Sequence, residues 1–260
     1  MTSDPQRTSG PRRLGPTQDE QLLVTPIAAP DRRATMSSDP WRVLRIMGEF
    51  VEGFDTLSNV KNGVTVFGSA RTKGDDPQYR QAVKVGQRLA DEGFTVITGG
   101  GPGIMEAGNR GAHEAGGHTI GLNIELPFEQ GTNPYVDTAI NFRYFFVRKT
   151  MFVKYSIGFV VFPGGFGTLD ELFEALTLIQ TGKIKHFPVV LMGTTYWQGM
   201  VDWLRGPMLG ERKIEAGDLE IFTVTDEPQV AVDAMTTARA RLLAEAEQAR
   251  GASHGHRGVF

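Results

Sequence analysis

The sequence predicts an α/β fold: a Rossmann-like, doubly wound parallel sheet with helices on both faces. Two observations carry this. Short apolar runs rich in Val, Ile and Phe alternate with stretches of helical period from residue 64 onward, the pattern of a parallel sheet covered on both sides. Small-residue turns follow the first, second and fifth of those runs. In such folds ligands sit beyond the carboxyl ends of the strands, near a switch in strand order. The three turns are therefore expected to face one crevice.

Taken in order, residues 1–38 are rich in Pro, Arg, Ser and Thr and read as a disordered or loosely docked arm. Ser38-Asp39-Pro40 then opens a helix, with a cap residue ahead of a proline suited to the first turn. Its apolar face (Trp41, Leu44, Met47, Val51, Phe54) is expected to cross the sheet or meet another subunit. Residues 64–67 are the first strand, turning at Gly68-Ser69-Ala70-Arg71. A helix over 77–92 turns Ala82, Val85, Leu89 and Ala90 inward and ends at Gly93. The second strand, 94–97, runs into Thr98-Gly99-Gly100-Gly101-Pro102-Gly103, a helix over 104–115 and a third strand over 118–122. A loop over 123–133, a short strand at 136–140 and an aromatic-rich helix at 142–156 lead to the fifth strand, 157–162. After the turn from Pro163 a helix runs to about Thr181. A strand at 187–192, a helix at 196–209, a strand at 221–224 and a polar helix at 227–250 complete a single domain spanning 39–250. Residues 251–260 read as a disordered tail.

Composition narrows the chemistry. A net charge of −3 gives no electrostatic footprint for nucleic acid or an anionic membrane. The absence of cysteine excludes disulfides, thiolate zinc sites and cysteine nucleophiles, and it fits a cytoplasmic location. The N-terminus has no apolar core of a signal peptide, and no apolar run reaches membrane-span length. The five histidines lack metal-ligand spacing, so neither metal nor cofactor is expected.

Two turns carry the chemistry. Strand, glycine turn and helix N-terminus at 157–171 make an anion cradle of free N–H groups at the positive dipole end. Glycine lets the backbone approach a phosphate closely. Thr168-x-x-Glu171 is also a capping-box pattern, which would close the helix with no ligand present. The recurrence of the arrangement at Gly99-Gly100-Gly101 favours the functional reading. Neither turn spells a Walker loop or G-x-G-x-x-G, which points to one phosphate of a small nucleotide. On the aromatic helix, Tyr144, Arg148, Met151 and Tyr155 share one face. An arginine within that stripe needs an anionic partner unless only its stem is buried. Lys149 and Arg143 read as surface charges.

Taken together, Gly99-Gly100-Gly101-Pro102-Gly103-Ile104-Met105-Glu106, Arg148-Lys149 and Pro163-Gly164-Gly165-Phe166-Gly167-Thr168-Leu169-Asp170-Glu171 resemble the Lonely Guy (LOG) family. The resemblance covers roughly residues 64–209. Members are cytokinin riboside 5′-monophosphate phosphoribohydrolases, often mislabelled lysine decarboxylases. The lead-in to the arginine, Phe146-Val147, departs from the plant-type Met-His-Glu, which bears on the preferred base. The resemblance implies cleavage of the N-glycosidic bond of AMP or an N6-substituted AMP, with Arg148 and Glu171 catalytic. A carboxylate near the anomeric carbon stabilises an oxocarbenium-like sugar and can orient water. Arg148 would hold Glu171 ionised and oriented. The phosphate would rest on Gly164, Gly165, Gly167 and Thr168, with Gly100, Gly101 and Ser69 lining the ribose phosphate and Asp170 pointing away. Glu106 could reach a ribose hydroxyl or serve as a first-turn helix acid. The family also implies a homodimer or higher homo-oligomer, with Arg148 near the shared interface. The alternative is a non-catalytic nucleotide or molybdenum-cofactor carrier of the same superfamily. Lysine decarboxylation needs a Schiff-base lysine, and Lys149 and Lys154 stand in no supporting pattern.

Overall fold

The computed structural model describes residues 15–23, 32–127 and 131–255. Among the described residues seven strands form one sheet in the order β4-β3-β2-β1-β5-β6-β7: β1 Gly63–Phe67, β2 Thr95–Thr98, β3 Thr119–Ile124, β4 Thr138–Phe142, β5 Ser156–Val161, β6 Val189–Met192 and β7 Phe222–Thr225. Every pairing is parallel. The helices are α1 Gln18–Leu22, α2 Arg32–Thr56, α3 Pro77–Asp91, α4 Ile104–Glu114, α5 Phe145–Tyr155, α6 Phe166–Gln180, α7 Thr194–Trp203 and α8 Pro228–Gly255. The doubly wound Rossmann-like architecture read from the sequence is the one observed.

Strand alternation explains the two cores. Phe67, Ile97, Ile120, Phe159, Val161 and Leu191 face one side, where they meet Val147, Met151 and Phe152 of α5, Leu172 of α6 and Trp197 of α7. Val64, Val66, Val96, Val160 and Val190 face the other, under Val85 and Leu89 of α3, Ala107 of α4 and Val232 of α8. Both faces of each central strand are thus dry, which is why these runs are apolar throughout.

Some boundaries differ from the sequence reading. The helix expected from Phe142 begins at Phe145, because Phe142 pairs with Ile124 and closes β4. Asp137 sets that register: its carboxylate accepts from the Thr119 N–H and hydroxyl at 2.9 and 2.8 Å. The helix expected from Ser38 begins at Arg32 and carries Pro40 inside it, at the cost of one helical hydrogen bond. The helix expected over 196–209 is α7 followed by a π-turn at Leu204–Met208 that contains Pro207. Of the stretch read as an arm, residues 15–23 carry α1 and residues 32–38 belong to α2; the rest lies outside the described residues. Of the tail, residues 251–255 continue α8, and 256–260 lie outside the described residues. Among the described residues no helix is long and apolar enough to cross a membrane.

Candidate active site

Strand order reverses between β1 and β5, and the carboxyl ends of those strands open on a cavity of about 630 Å³. All three small-residue turns line it, through Gly68 to Arg71, Gly99 and Gly101, and Gly165 to Thr168. The first turn is stitched to the other two. The Ser69 N–H donates to the Pro163 carbonyl and the Ser69 carbonyl accepts from the Ile104 N–H, each at 3.0 Å. Gly103, at φ +70°, lies so close to that Ser69 carbonyl that a Cβ would overlap it.

The Gly99-Gly100-Gly101 turn is held from beneath by three buried polar side chains. The Asn133 amide donates to the carbonyls of Gly100 and Gly101, both at 3.1 Å, and to Asn109 Oδ1 at 3.0 Å. The Thr98 hydroxyl donates to the same Asn109 oxygen at 2.6 Å and accepts from the Gly100 N–H at 2.9 Å. Gly100 has φ +71° and a Cβ there would strike Asn123. Its role is to pass the chain under the cavity wall.

The turn after β5 leads straight into α6. Gly165 is the N-cap and supplies no side-chain cap. Thr168 sits at the third helical position and does not form the capping box its spacing allowed. The Thr168 N–H donates back to the Gly165 carbonyl at 3.0 Å, which leaves the N–H groups of Phe166 and Gly167 for solvent or a ligand. Gly164 is packed under Thr168, where a Cβ would overlap the hydroxyl, and its carbonyl accepts from the Tyr196 hydroxyl at 2.6 Å.

Arg148 of α5 and Glu171 of α6 meet across the cavity with Nη2 and Oε1 4.0 Å apart. Both line the cavity, and the Glu171 side chain is only 4% exposed. The guanidinium lies 5.2 and 5.4 Å from the ring centres of Phe145 and Phe152. Arg148 Nε and Glu171 Oε2 are buried with no hydrogen-bond partner. The two charges approach without bonding, and each keeps capacity for a third group. Burial pushes the Glu171 carboxyl up to about 7, outweighing the attraction of Arg148 and then Lys149. Burial likewise moves the Arg148 guanidinium below its usual value, against Glu171, Asp170 and Asp19. An arginine held firmly against its carboxylate would have kept Glu171 fully ionised; at 4.0 Å desolvation wins.

Of the residues expected in the site, Ser69, Gly101, Arg148, Gly165, Gly167, Thr168 and Glu171 line the cavity. Gly100 and Gly164 lie behind it as supports. Glu106 does not line it; its carboxylate accepts from the Tyr79 hydroxyl at 2.8 Å. Asp170 turns away as expected, toward Lys149 at 3.0 Å. Lys149 is not a surface charge. Its side chain is 15% exposed and also pairs with Glu174 at 2.7 Å, and those carboxylates raise its pKa against the opposing effect of burial. The sequence reading missed Arg71 as a cavity residue. It is exposed at the cavity rim and in no ion pair among the described residues. Its place in the first turn was the available signal. Met105, inside the Gly99 to Glu106 motif, also lines the cavity, as do Asn123 and Phe152, which belong to no short motif.

Known proteins resemble this chain in sequence and in fold. Residues 105–235 match a family model described as "Possible lysine decarboxylase". The chain is 37% identical over 115 residues to the probable cytokinin riboside 5′-monophosphate phosphoribohydrolase LOGL5 of Oryza sativa subsp. japonica, covering 43% of this chain and 46% of that one. It therefore spans about half the length of that relative. It is 31% identical over 155 residues to the cytokinin riboside 5′-monophosphate phosphoribohydrolase of Mycobacterium tuberculosis, covering 59% of this chain and 82% of that one. Among solved structures, the Moco carrier protein of Chlamydomonas reinhardtii superposes with a TM-score of 0.51 at 25% identity, over 70% of this chain and 99% of that one.

Proposed function

The chain belongs to the LOG family, the one its matching model labels a possible lysine decarboxylase, and on that footing we propose that it is a nucleoside 5′-monophosphate phosphoribohydrolase. Its substrate is AMP or an N6-substituted AMP, its products the free base and ribose 5-phosphate. The observation that carries this is the Arg148–Glu171 pair, buried across a nucleotide-sized cavity with unpartnered atoms on both sides.

The phosphate rests at the α6 N-terminus, on the first-turn N–H groups of Phe166 and Gly167, with Thr168 and Ser69 adding hydroxyls and Arg71 a cation. The ribose then lies over Glu171. The base reaches the wall made by Phe145, Phe152 and Met105. As the C1′–N bond breaks, the Glu171 carboxylate faces the growing positive charge and accepts a proton from the attacking water. Water oxygen bonds to C1′, and the base leaves with the bond electrons and takes up a proton. A carboxyl near neutral pKa suits a group that must shed and accept a proton in one cycle. Arg148, above the Phe145 and Phe152 rings, stabilises negative charge on the departing base.

Incubation with AMP and with N6-isopentenyl-AMP is expected to release free base. Glu171→Ala should abolish release while nucleotide binding persists. The second reading, a nucleotide or molybdenum-cofactor carrier, is favoured by the fold shared with the Moco carrier protein. Tight nucleotide binding with no base released from any nucleoside monophosphate would select it. Decarboxylation of lysine is disfavoured by Lys149, which its two carboxylate partners keep protonated, the opposite of what an imine-forming amine requires.

The same reading makes the protein a cytoplasmic homodimer at least. Trp41, Leu44, Met47 and Val51 on α2 and Phe146 on α5 leave exposed apolar surface, which a second copy would cover.

A further inference from the structure

The helix that carries Arg148 is held by acids from outside itself. Its N-cap residue, Tyr144, gives no side-chain cap. Instead Asp19 Oδ2 accepts from the Phe145 N–H at 3.1 Å, and both Glu49 oxygens accept from the Arg143 N–H at 3.2 and 3.1 Å. Phe145 lies one turn before Arg148, lines the cavity and stacks near its guanidinium.

Asp19 is delivered by α1, and several contacts dock that short helix. Thr17 and Glu20 cap it reciprocally, at 3.2 and 2.8 Å. The Gln18 N–H donates to Glu125 Oε2 at 3.1 Å, and the Arg42 guanidinium donates to the Gln21 carbonyl at 2.6 Å. Leu22 packs against the core that includes Val147 and Met151 of α5. Glu125 stands between Ile124 and Leu126, both of which line the cavity. The docked segment thus touches the active-site wall at two places.

We infer that Asp19 is a positioning residue for Arg148: it fixes the first turn of α5 through Phe145 and adds a carboxylate to the field in which Arg148 meets Glu171. The role assumes the hydrolase reading only in calling Arg148 catalytic. The charges in play can be named. Arg148 faces Glu171 and Asp170 of α6 and Asp19 of α1. Glu171 faces Arg148, Lys149, Glu174 and Asp170. Asp19 faces Glu125 and Arg148. Removing the charge of Asp19 leaves Arg148 answered by α6 alone. That favours the ionised form of Glu171, so the acid limb of kcat moves to lower pH.

Three full-length variants test this. Asp19→Asn keeps an oxygen for the Phe145 N–H and loses the charge; Asp19→Ala loses both. Glu49→Gln perturbs the other cap, which does not face Arg148. In Asp19→Ala, kcat is expected to fall about tenfold with KM changed less than about twofold, as a small misplacement of a catalytic group would cause. In both Asp19 variants the acid limb should move down by about half a unit. Glu49→Gln should lower the unfolding midpoint and leave the limb in place. The Nε–H resonance of Arg148, identified by its loss in Arg148→Lys, should move in both Asp19 variants. An unmoved resonance with an unmoved pH profile in Asp19→Ala overturns the inference, as does an equal limb shift in Glu49→Gln. If the resonance moves but the wild type releases no base from any nucleoside monophosphate, the positioning stands and the hydrolase reading falls.

Discussion

Replacing Glu171 by Gln separates the electrostatic state of the site from its packing. Burial raises this carboxyl from 4.5 to about 7, and at 1.36 kcal/mol per unit that is roughly 3 kcal/mol of folding free energy. The sign follows from proton binding. Between those two values the folded chain holds a proton that the unfolded chain has released, so stability falls as pH rises. The contribution is fully present below about 4.5 and lost by the time pH passes about 7. Gln keeps the shape of the protonated acid and never ionises. Glu171→Gln should therefore match the wild type near about pH 4 and exceed it by roughly 3 kcal/mol above about pH 8.5. Urea unfolding of both proteins at the two ends of that range gives the difference directly. Asp19 and Glu49, which burial also raises, titrate in both proteins and cancel. The variant should release no base at any pH. A stability gap that stays constant across the range would refute the claim that desolvation outweighs Arg148 here.

Other consequences are more local. Asn133→Leu removes three amide hydrogen bonds beneath the Gly100 turn; urea unfolding should show a loss of about 2–4 kcal/mol, and KM for the nucleotide should rise. Gly164→Ala drives a methyl into the Thr168 side chain; calorimetry should show weaker nucleoside monophosphate binding together with an unfolding midpoint lowered by overpacking, and unchanged affinity would mean that Thr168 takes no part. Light scattering should report at least a dimer for the wild type and a smaller species for a Trp41→Glu, Met47→Glu double variant on the exposed face of α2; a monomeric wild type would remove the dimer from the reading.

The alternation of apolar strands and amphipathic helices made the sheet legible because each central strand is dry on both sides, so its composition has only one reading. The turns were legible because glycine at Gly103 answers a backbone demand that sequence exposes directly. Harder to see was anything fixed by a partner distant in sequence. Asn109 and Asn133 look like ordinary helix and loop residues until Thr98 and the Gly100 turn are placed between them. Lys149 looks like a surface charge until α6 brings Asp170 and Glu174 beside it. Asp19 sits in a polar stretch with the composition of an arm; its importance lies in an N–H group 126 positions away. Local pattern has no access to that distance. The end of β4 failed for the same reason: Phe142 is a plausible first helical residue until Ile124 claims it in the sheet.

The site brings two unpartnered charged groups together, where other parts of the described structure leave single polar atoms unpartnered. Most buried polar side chains close on partners, such as Thr65 with Ser156, Thr98 with Asn109 and Asn109 Oδ1 with Asn133, and the unpartnered Asn109 Nδ2 and Tyr144 hydroxyl belong to neutral groups. At the switch point an arginine and a glutamate are buried within 4.0 Å yet leave Nε and Oε2 without partners. Lys149 shows that this is not forced by the helices, since on the same pair of elements it closes on two carboxylates at 3.0 and 2.7 Å. A fold serving stability alone would gain by drawing Arg148 onto Glu171 in the same way, because unpartnered buried charge is costly. A raised carboxyl repels a bound phosphate less, in a carrier as in a hydrolase. A group that must give and take a proton beside a breaking glycosidic bond needs that state. Proton exchange at Glu171 is a property that the proposed hydrolysis uses and a carrier does not.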